Sequence, residues 1–294
     1  MSTEDRHPIQ VVPHFMRLHE WIALEEGHFA DEGLEPELHD DVMHAVSGHR
    51  GDRYGSRPQD LPFVQQAAVA NSACAWGSVC NAGAGMGRFV PDLYGVARYA
   101  FFATPDSGIE RLSDLRDVPV GVGLMAGSHF TALQALEQVL PLEAIRVEHT
   151  GGPGRRIAAL LEGELAVANL LDPEIPIAEQ RGLRKIAQGE FRTLFWVAQS
   201  LGPEVLDRYF RALRRADEAL RATPERFMGL WERNVPPDLR DDYDYSAFGL
   251  GELLVFERYD DDMLAEAIRF AERHGLRGHV REDRYEHLVA TVPL

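Results

Sequence analysis

Short apolar runs alternate with stretches whose apolar residues recur three and four apart, from residue 9 to about residue 200. A run of the first kind fits a strand buried on both faces, and a stretch of the second fits a helix with one apolar face. Strand-then-helix repetition leaves few architectures. It predicts an α/β fold with mainly parallel sheets and helices on both faces. Strands are expected at 9–12, 34–39, 93–102, 118–122, 145–148, 165–171, 184–187 and 193–198. Helices are expected at 18–32, 61–69, 131–140 and 155–162, the first closed by Gly33. Residues 39–58 are polar and without period, so they read as a long loop. Beyond Leu201 the texture turns helical, at 203–222, 224–234 and 260–274, around an acidic, aromatic segment at 238–259 that matches no element.

A chain of 294 residues, 45% hydrophobic and 26% charged, has core enough for two modest domains. Its formal charge of −17 excludes the basic face that a nucleic-acid partner requires. No apolar run approaches the ~20 residues of a membrane span, and the opening Met-Ser-Thr-Glu-Asp-Arg-His-Pro lacks the apolar stretch of an export signal. A cytoplasmic location is therefore expected, with neither nucleic acid nor membrane as partner; the oligomeric state is left open. Lys185 is the only lysine and sits in a charged strand entry, which sets a Schiff-base mechanism aside.

The stretch from Asn71 to Arg88 carries both cysteines of the chain, Cys74 and Cys80, among Gly77, Gly83, Gly85 and Gly87. It reads mostly as loop, and its glycines let backbone approach a ligand closely. In reducing surroundings the two are expected as thiols rather than a disulfide, and their spacing matches no common zinc motif. Either could be a nucleophile, Cys74 by its place at a strand end and Cys80 if a helical turn begins at Val79. Trp76 in such a loop suits stacking on a planar ligand. Gly77, Ser78, Asn81 and Arg88 complete a candidate binding wall.

In open α/β sheets the ligand lies off the carboxyl ends of the strands. Four segments fall there: 13–17, 71–88, 127–130 and 172–174. Ser128 is a natural helix cap, and the N–H groups beside it favour an anion. His129 next to such a pocket, or His14 after the first strand, could serve as acid/base. Phe130 adds an apolar contact, and Asp172 and Glu174 could orient a histidine or bind a polar group. Arg50, in a cationic segment with His44, His49 and Arg53, could close over an anion, as could Arg88. No metal site and no cofactor is expected.

Residues 14–34, above all Ala23-Leu-Glu-Glu-Gly-His-Phe-Ala-Asp-Glu-Gly-Leu, resemble the opening of the nitrate/sulfonate/taurine-type solute-binding proteins, in the fold group of the thiamine-pyrimidine-synthase-like proteins. Ile109-Glu-Arg-Leu-Ser-Asp-Leu-Arg-Asp-Val-Pro-Val-Gly-Val-Gly resembles that group's crossover into its second domain, and Gly127-Ser-His-Phe-Thr its anion-facing helix start. The resemblance implies a two-lobed fold of the type II periplasmic-binding-protein kind with a ligand cleft between the lobes. Residues 1–103 and 191–294 would form lobe one, and 104–190 lobe two. Intracellular relatives include the aryl sulfinate desulfinase, with a nucleophilic cysteine, a histidine and an arginine in its cleft. For this chain the resemblance implies a small anionic, aromatic or heterocyclic substrate and a cysteine-dependent lyase or hydrolase cleaving a C–S or C–C bond. A non-catalytic binding protein and a metal-dependent biosynthetic enzyme are the alternatives.

Overall fold

The strand–helix alternation is realised in a computed structural model, which describes residues 6–48, 58–65, 67 and 69–292. In chain order, β1 (His7–Val11) leads to α1 (His19–Glu25), α2 (His28–Asp31), β2 (Leu34–Leu38), α3 (Asp40–Gly48) and α4 (Leu61–Val64). β3 (Val69–Cys74) runs straight into α5 (Ala75–Gly83), followed by β4 (Arg88–Phe89) and β5 (Tyr94–Ala103). Next come β6 (Pro119–Val122), α6 (Gly127–Leu136), β7 (Arg146–His149), α7 (Pro153–Leu161), β8 (Val167–Leu171) and α8 (Glu174–Gln180). β9 (Arg184–Val197) precedes α9 (Pro203–Ala222), α10 (Trp231–Asn234), β10 (Leu253–Val255), α11 (Asp261–Arg273) and α12 (Tyr285–Leu288).

The strands form one continuous path, β2-β1-β3-β9-β5-β8-β6-β7, with β10 on β5 and β4 on β9. β5 and β9 pair antiparallel from Gly95↔Thr193 to Ala103↔Arg184, with a register shift at Phe101/Phe102. The far end of β9 continues onto β3, and the far end of β5 onto β8. Two long strands thus pass through both halves of a two-lobed α/β fold. This corrects the expectation of a mainly parallel sheet. Pairs within each half are parallel (β1 with β2 and β3, β6 with β7 and β8), whereas every pairing of β5 and β9 is antiparallel. The reason is topological: the chain leaves one half on β5 and returns beside it on β9. The boundary expected after residue 103 falls at the end of β5, and that expected after 190 lies inside β9.

Other differences have local causes. The single helix expected at 18–32 is two, because Gly27 adopts φ 75°, a left-handed turn that stops α1. Within the loop expected at 39–58, α3 forms; Asp40 and Asp41 sit in its first turn, where the peptide dipoles favour acids. Residues 184–198 make one strand rather than two, and residues 224–234 break into short turns before α10. α9 follows its sequence pattern closely: Leu206, Tyr209, Phe210, Leu213, Ala216 and Leu220 are buried at helical spacing. Tyr209 and Phe210 meet Phe195 edge-on, anchoring α9 to β9. Among the described residues no helix is long and apolar enough to cross a membrane.

Candidate active site

A cleft opens off the strand ends, lined by residues 12–16, 71–74, 123–128 and 151–153. Its empty volume of about 960 Å³, counting the open mouth, is that of a small-molecule site. Met43 and Val46 of α3 and Phe191 of β9 close it further. Its wall is largely apolar, so the polar groups that do reach it decide what it can hold.

Cys74 is the last residue of β3 and the N-cap of α5, with Gly77 N–H donating to its Sγ at 3.3 Å. The sulfur therefore faces the positive end of the α5 peptide dipoles, the setting in which a thiolate is stabilised. Two glycines make the room. A Cβ at Gly77 would lie 3.0 Å from Cys74 Sγ, and one at Gly127 would lie 3.5 Å from Cys74 Cβ. The start of α6 thus packs directly on the cysteine.

His14 lines the same cleft, and its Nδ1 lies 2.6 Å from Glu252 Oε2. Glu252 is fully buried and also accepts from Arg17 Nη1 at 2.9 Å and Thr193 Oγ1 at 2.7 Å. Burial alone would raise the Glu252 carboxyl, but His14, Arg17 and these hydrogen bonds hold it well below the usual range. An ionised Glu252 fixes the proton on Nδ1 and leaves Nε2 as the reactive nitrogen. Arg17 is itself clamped by Glu20, with its guanidinium 4.2 Å over the Phe195 ring. Burial opposes its charge, yet Glu20 and Glu252 raise its pKa further.

Of the residues singled out in the sequence, the structure brings Cys74, Gly77, Asn81, His14 and Ser128 to the cleft. Ser128 Oγ accepts the N–H of Gly123, fixing the loop before α6. The others lie elsewhere. Cys80 is inside α5, buried in an apolar cluster, because the helix begins at Ala75 rather than Val79. Trp76 stacks on Phe130 at 5.4 Å and meets Phe270 at 5.3 Å, lining a separate cavity under α11; Phe130 is fully buried there. Ser78 Oγ donates to Leu194 O at 3.3 Å, tying α5 to β9. His129 Nδ1 accepts from Met125 N–H at 3.2 Å, off the cleft wall. Arg88 reaches Gln199 O at 3.4 Å. Asp172 is paired with Arg98 at 2.7 Å, and Glu174 faces Arg156 at 3.5 Å. Burial pushes Asp172 up to about 6 and Glu174 up to about 7, against the pull of their arginines. Arg50, His49 and Arg53 lie outside the described residues.

Sequence reasoning missed Glu252, which sits in the segment that matched no element, and Arg156, Asn71 and Phe191. The run Gly151-Gly-Pro-Gly before Arg156 was the available signal, since a glycine-rich entry to a helix brings backbone and side chains close to a ligand. Among the described residues no group of three or more His, Cys, Asp and Glu is arranged to hold a metal ion.

No protein-family model matches the chain, and no curated protein does. Solved structures do. The alkanesulfonate-binding protein SsuA from Xanthomonas axonopodis pv. citri, bound to MOPS, superposes with TM-score 0.68 at 13% identity over 97% of this chain and 98% of its own. The desulfurization enzyme DSZB gives TM-score 0.63 at 16% identity over 97% of each chain. A Candida albicans gene product with the generic periplasmic-binding-protein fold gives TM-score 0.68 at 11% identity over 98% of each chain. The chain shares the two-lobed periplasmic-binding-protein fold with all three.

Proposed function

We propose that the cleft binds a small organic anion and that Cys74 attacks it, with His14 as acid/base. The observation that carries this is the convergence on one cleft of a helix-capping thiol and a histidine backed by a buried carboxylate. In the step envisaged, His14 Nε2 takes the proton of the Cys74 thiol, and the thiolate adds to an electrophilic sulfur or carbonyl carbon. The C–S or C–C bond breaks, its electron pair leaves with carbon, and that carbon takes a proton from His14 Nε2. Water then releases the bound group from Cys74 and restores the thiol. N–H groups at the starts of α5 and α6 face the charge that develops. Two similar structures handle sulfur oxyanions: SsuA binds alkanesulfonates, and a variant of DSZB was crystallised with biphenyl-2-sulfinic acid. That supports an organosulfur acid as the first substrate class to assay.

The hydrogen bond from Gly77 also fits a second reading, in which Cys74 only caps α5 and the protein is a binding module. Cys74→Ser and Cys80→Ser separate the two. The enzyme reading expects Cys74→Ser to abolish sulfite release from benzenesulfinate and biphenyl-2-sulfinate while anion binding persists, and Cys80→Ser to keep turnover. It also expects Cys74 to alkylate at least about tenfold faster than Cys80 near neutral pH, read by peptide mass spectrometry. Full turnover by Cys74→Ser would overturn the mechanism. Anion binding without turnover or thiol reactivity in the unmodified protein would leave the binding module.

A further inference from the structure

Two donors in the cleft wall have no hydrogen-bond partner among the described residues. Asn71, on β3 and 4% exposed, accepts the N–H of Ser72 on Oδ1 at 2.7 Å, while its Nδ2 makes no hydrogen bond there. Arg156, on α7 and 1% exposed, donates from Nε to Asn169 O at 3.0 Å and from Nη1 to Gly151 O at 3.2 Å. Its Nη2 makes no such bond and stands 3.5 Å from Glu174 Oε2. Both residues line the cleft, one from each half of the molecule. A buried donor left unpaired costs about 1–3 kcal/mol, which is why such groups are rare and ask for an explanation.

We propose that Asn71 and Arg156 are the residues that hold the anionic group of the ligand, each giving one N–H to its oxygens. This rests on the reading of the cleft as an organic-anion site and adds which side chains select the charge. The two donors suit a group that only accepts, and the Arg156 cation favours one that is also negatively charged, of the sulfonate, sulfinate or carboxylate kind. The two carbonyls already bound to Arg156 hold its guanidinium in one plane, so little is lost in using the last N–H. Asn71 and Cys74 both lie on β3 and both line the cleft, so the anion is held on the wall that carries the thiol. Neither donor atom is wetted, and α3 of one half packs on α7 of the other beside the cleft. The group enters as the halves part and is enclosed as they close.

The test is calorimetric binding of benzenesulfonate and of its neutral counterpart, methyl phenyl sulfone, to the unmodified protein, Asn71→Asp and Arg156→Lys. Asn71→Asp keeps the acceptor for Ser72 and puts a charge where the free donor stood. Arg156→Lys keeps the charge and removes the planar fork. Each substitution should weaken benzenesulfonate by about tenfold or more and leave the sulfone within about twofold. Equal affinity of the unmodified protein for sulfone and sulfonate would overturn the seat. So would unchanged sulfonate binding by both variants, which would leave the organic-anion reading standing. An unmodified protein that binds no organic anion would overturn both.

Discussion

The histidine at the cleft is made useful by a residue 238 positions away. Glu252 takes hydrogen bonds from His14, Arg17 and Thr193, so its charge is met on several sides although it is wholly buried. Glu252→Gln removes that charge and leaves Arg17 with Glu20 alone, a loss on the order of 3 kcal/mol for breaking a buried ionic group. Urea unfolding should show this as a lower midpoint at unchanged slope, and an unchanged midpoint would contradict the network. Because the Glu252 carboxyl is held low, its contribution is present above its ordinary value of 4.5 and is lost as pH falls through the folded value. His14 was legible in the sequence because it follows a strand. Glu252 was not, since no local pattern joins residues so far apart, and the geometry of a buried cluster is decided by the fold alone.

At the scale of elements, most helices and strands were visible as periodicity, and the largest miss was α5. Gly77 and Gly83 made that stretch look like loop, yet a Cβ at Gly83 would come within 2.9 Å of Glu282 O. The glycines are there so that a helix can pack closely, which is tertiary context overriding propensity. Gly95, on β5, carries the same meaning at the site. A Cβ there would lie 2.0 Å from Glu252 Oε1 and 2.3 Å from Thr193 Oγ1, at the point where β5 pairs with β9. Gly95→Ala should therefore destabilise by about 2–3 kcal/mol, since Glu252 must move off His14. Gly202→Ala, with nothing within 4 Å, should stay within about 0.5 kcal/mol. Thermal unfolding of the pair checks this, and equal melting temperatures would mean that β5 and Glu252 are not packed as described.

For the whole molecule, the balance of buried carboxylates sets how stability responds to pH. Glu252 is held low, but Asp172 is raised from 3.8 to about 6 and Glu174 from 4.5 to about 7, each chiefly by burial. A carboxyl raised by folding binds its proton more tightly in the folded than in the unfolded chain. Between its two values the folded state holds more protons, so stability falls as pH rises. For Glu174 that window runs from 4.5 to about 7, and the cost is complete above it. Glu174→Gln mimics the protonated form and removes this titration while leaving Arg156 its hydrogen bonds to Asn169 and Gly151. Near pH 5 the variant and the unmodified protein should unfold with similar free energies. By about pH 8 the variant should have gained on the order of 2 kcal/mol relative to the unmodified protein, because each tenfold change in proton affinity is worth about 1.4 kcal/mol. The comparison is made by denaturant unfolding across that range. Parallel stability curves would show that Glu174 ionises in the folded chain as it does in the unfolded one, and that Arg156 beside the cleft has a full negative charge for its neighbour.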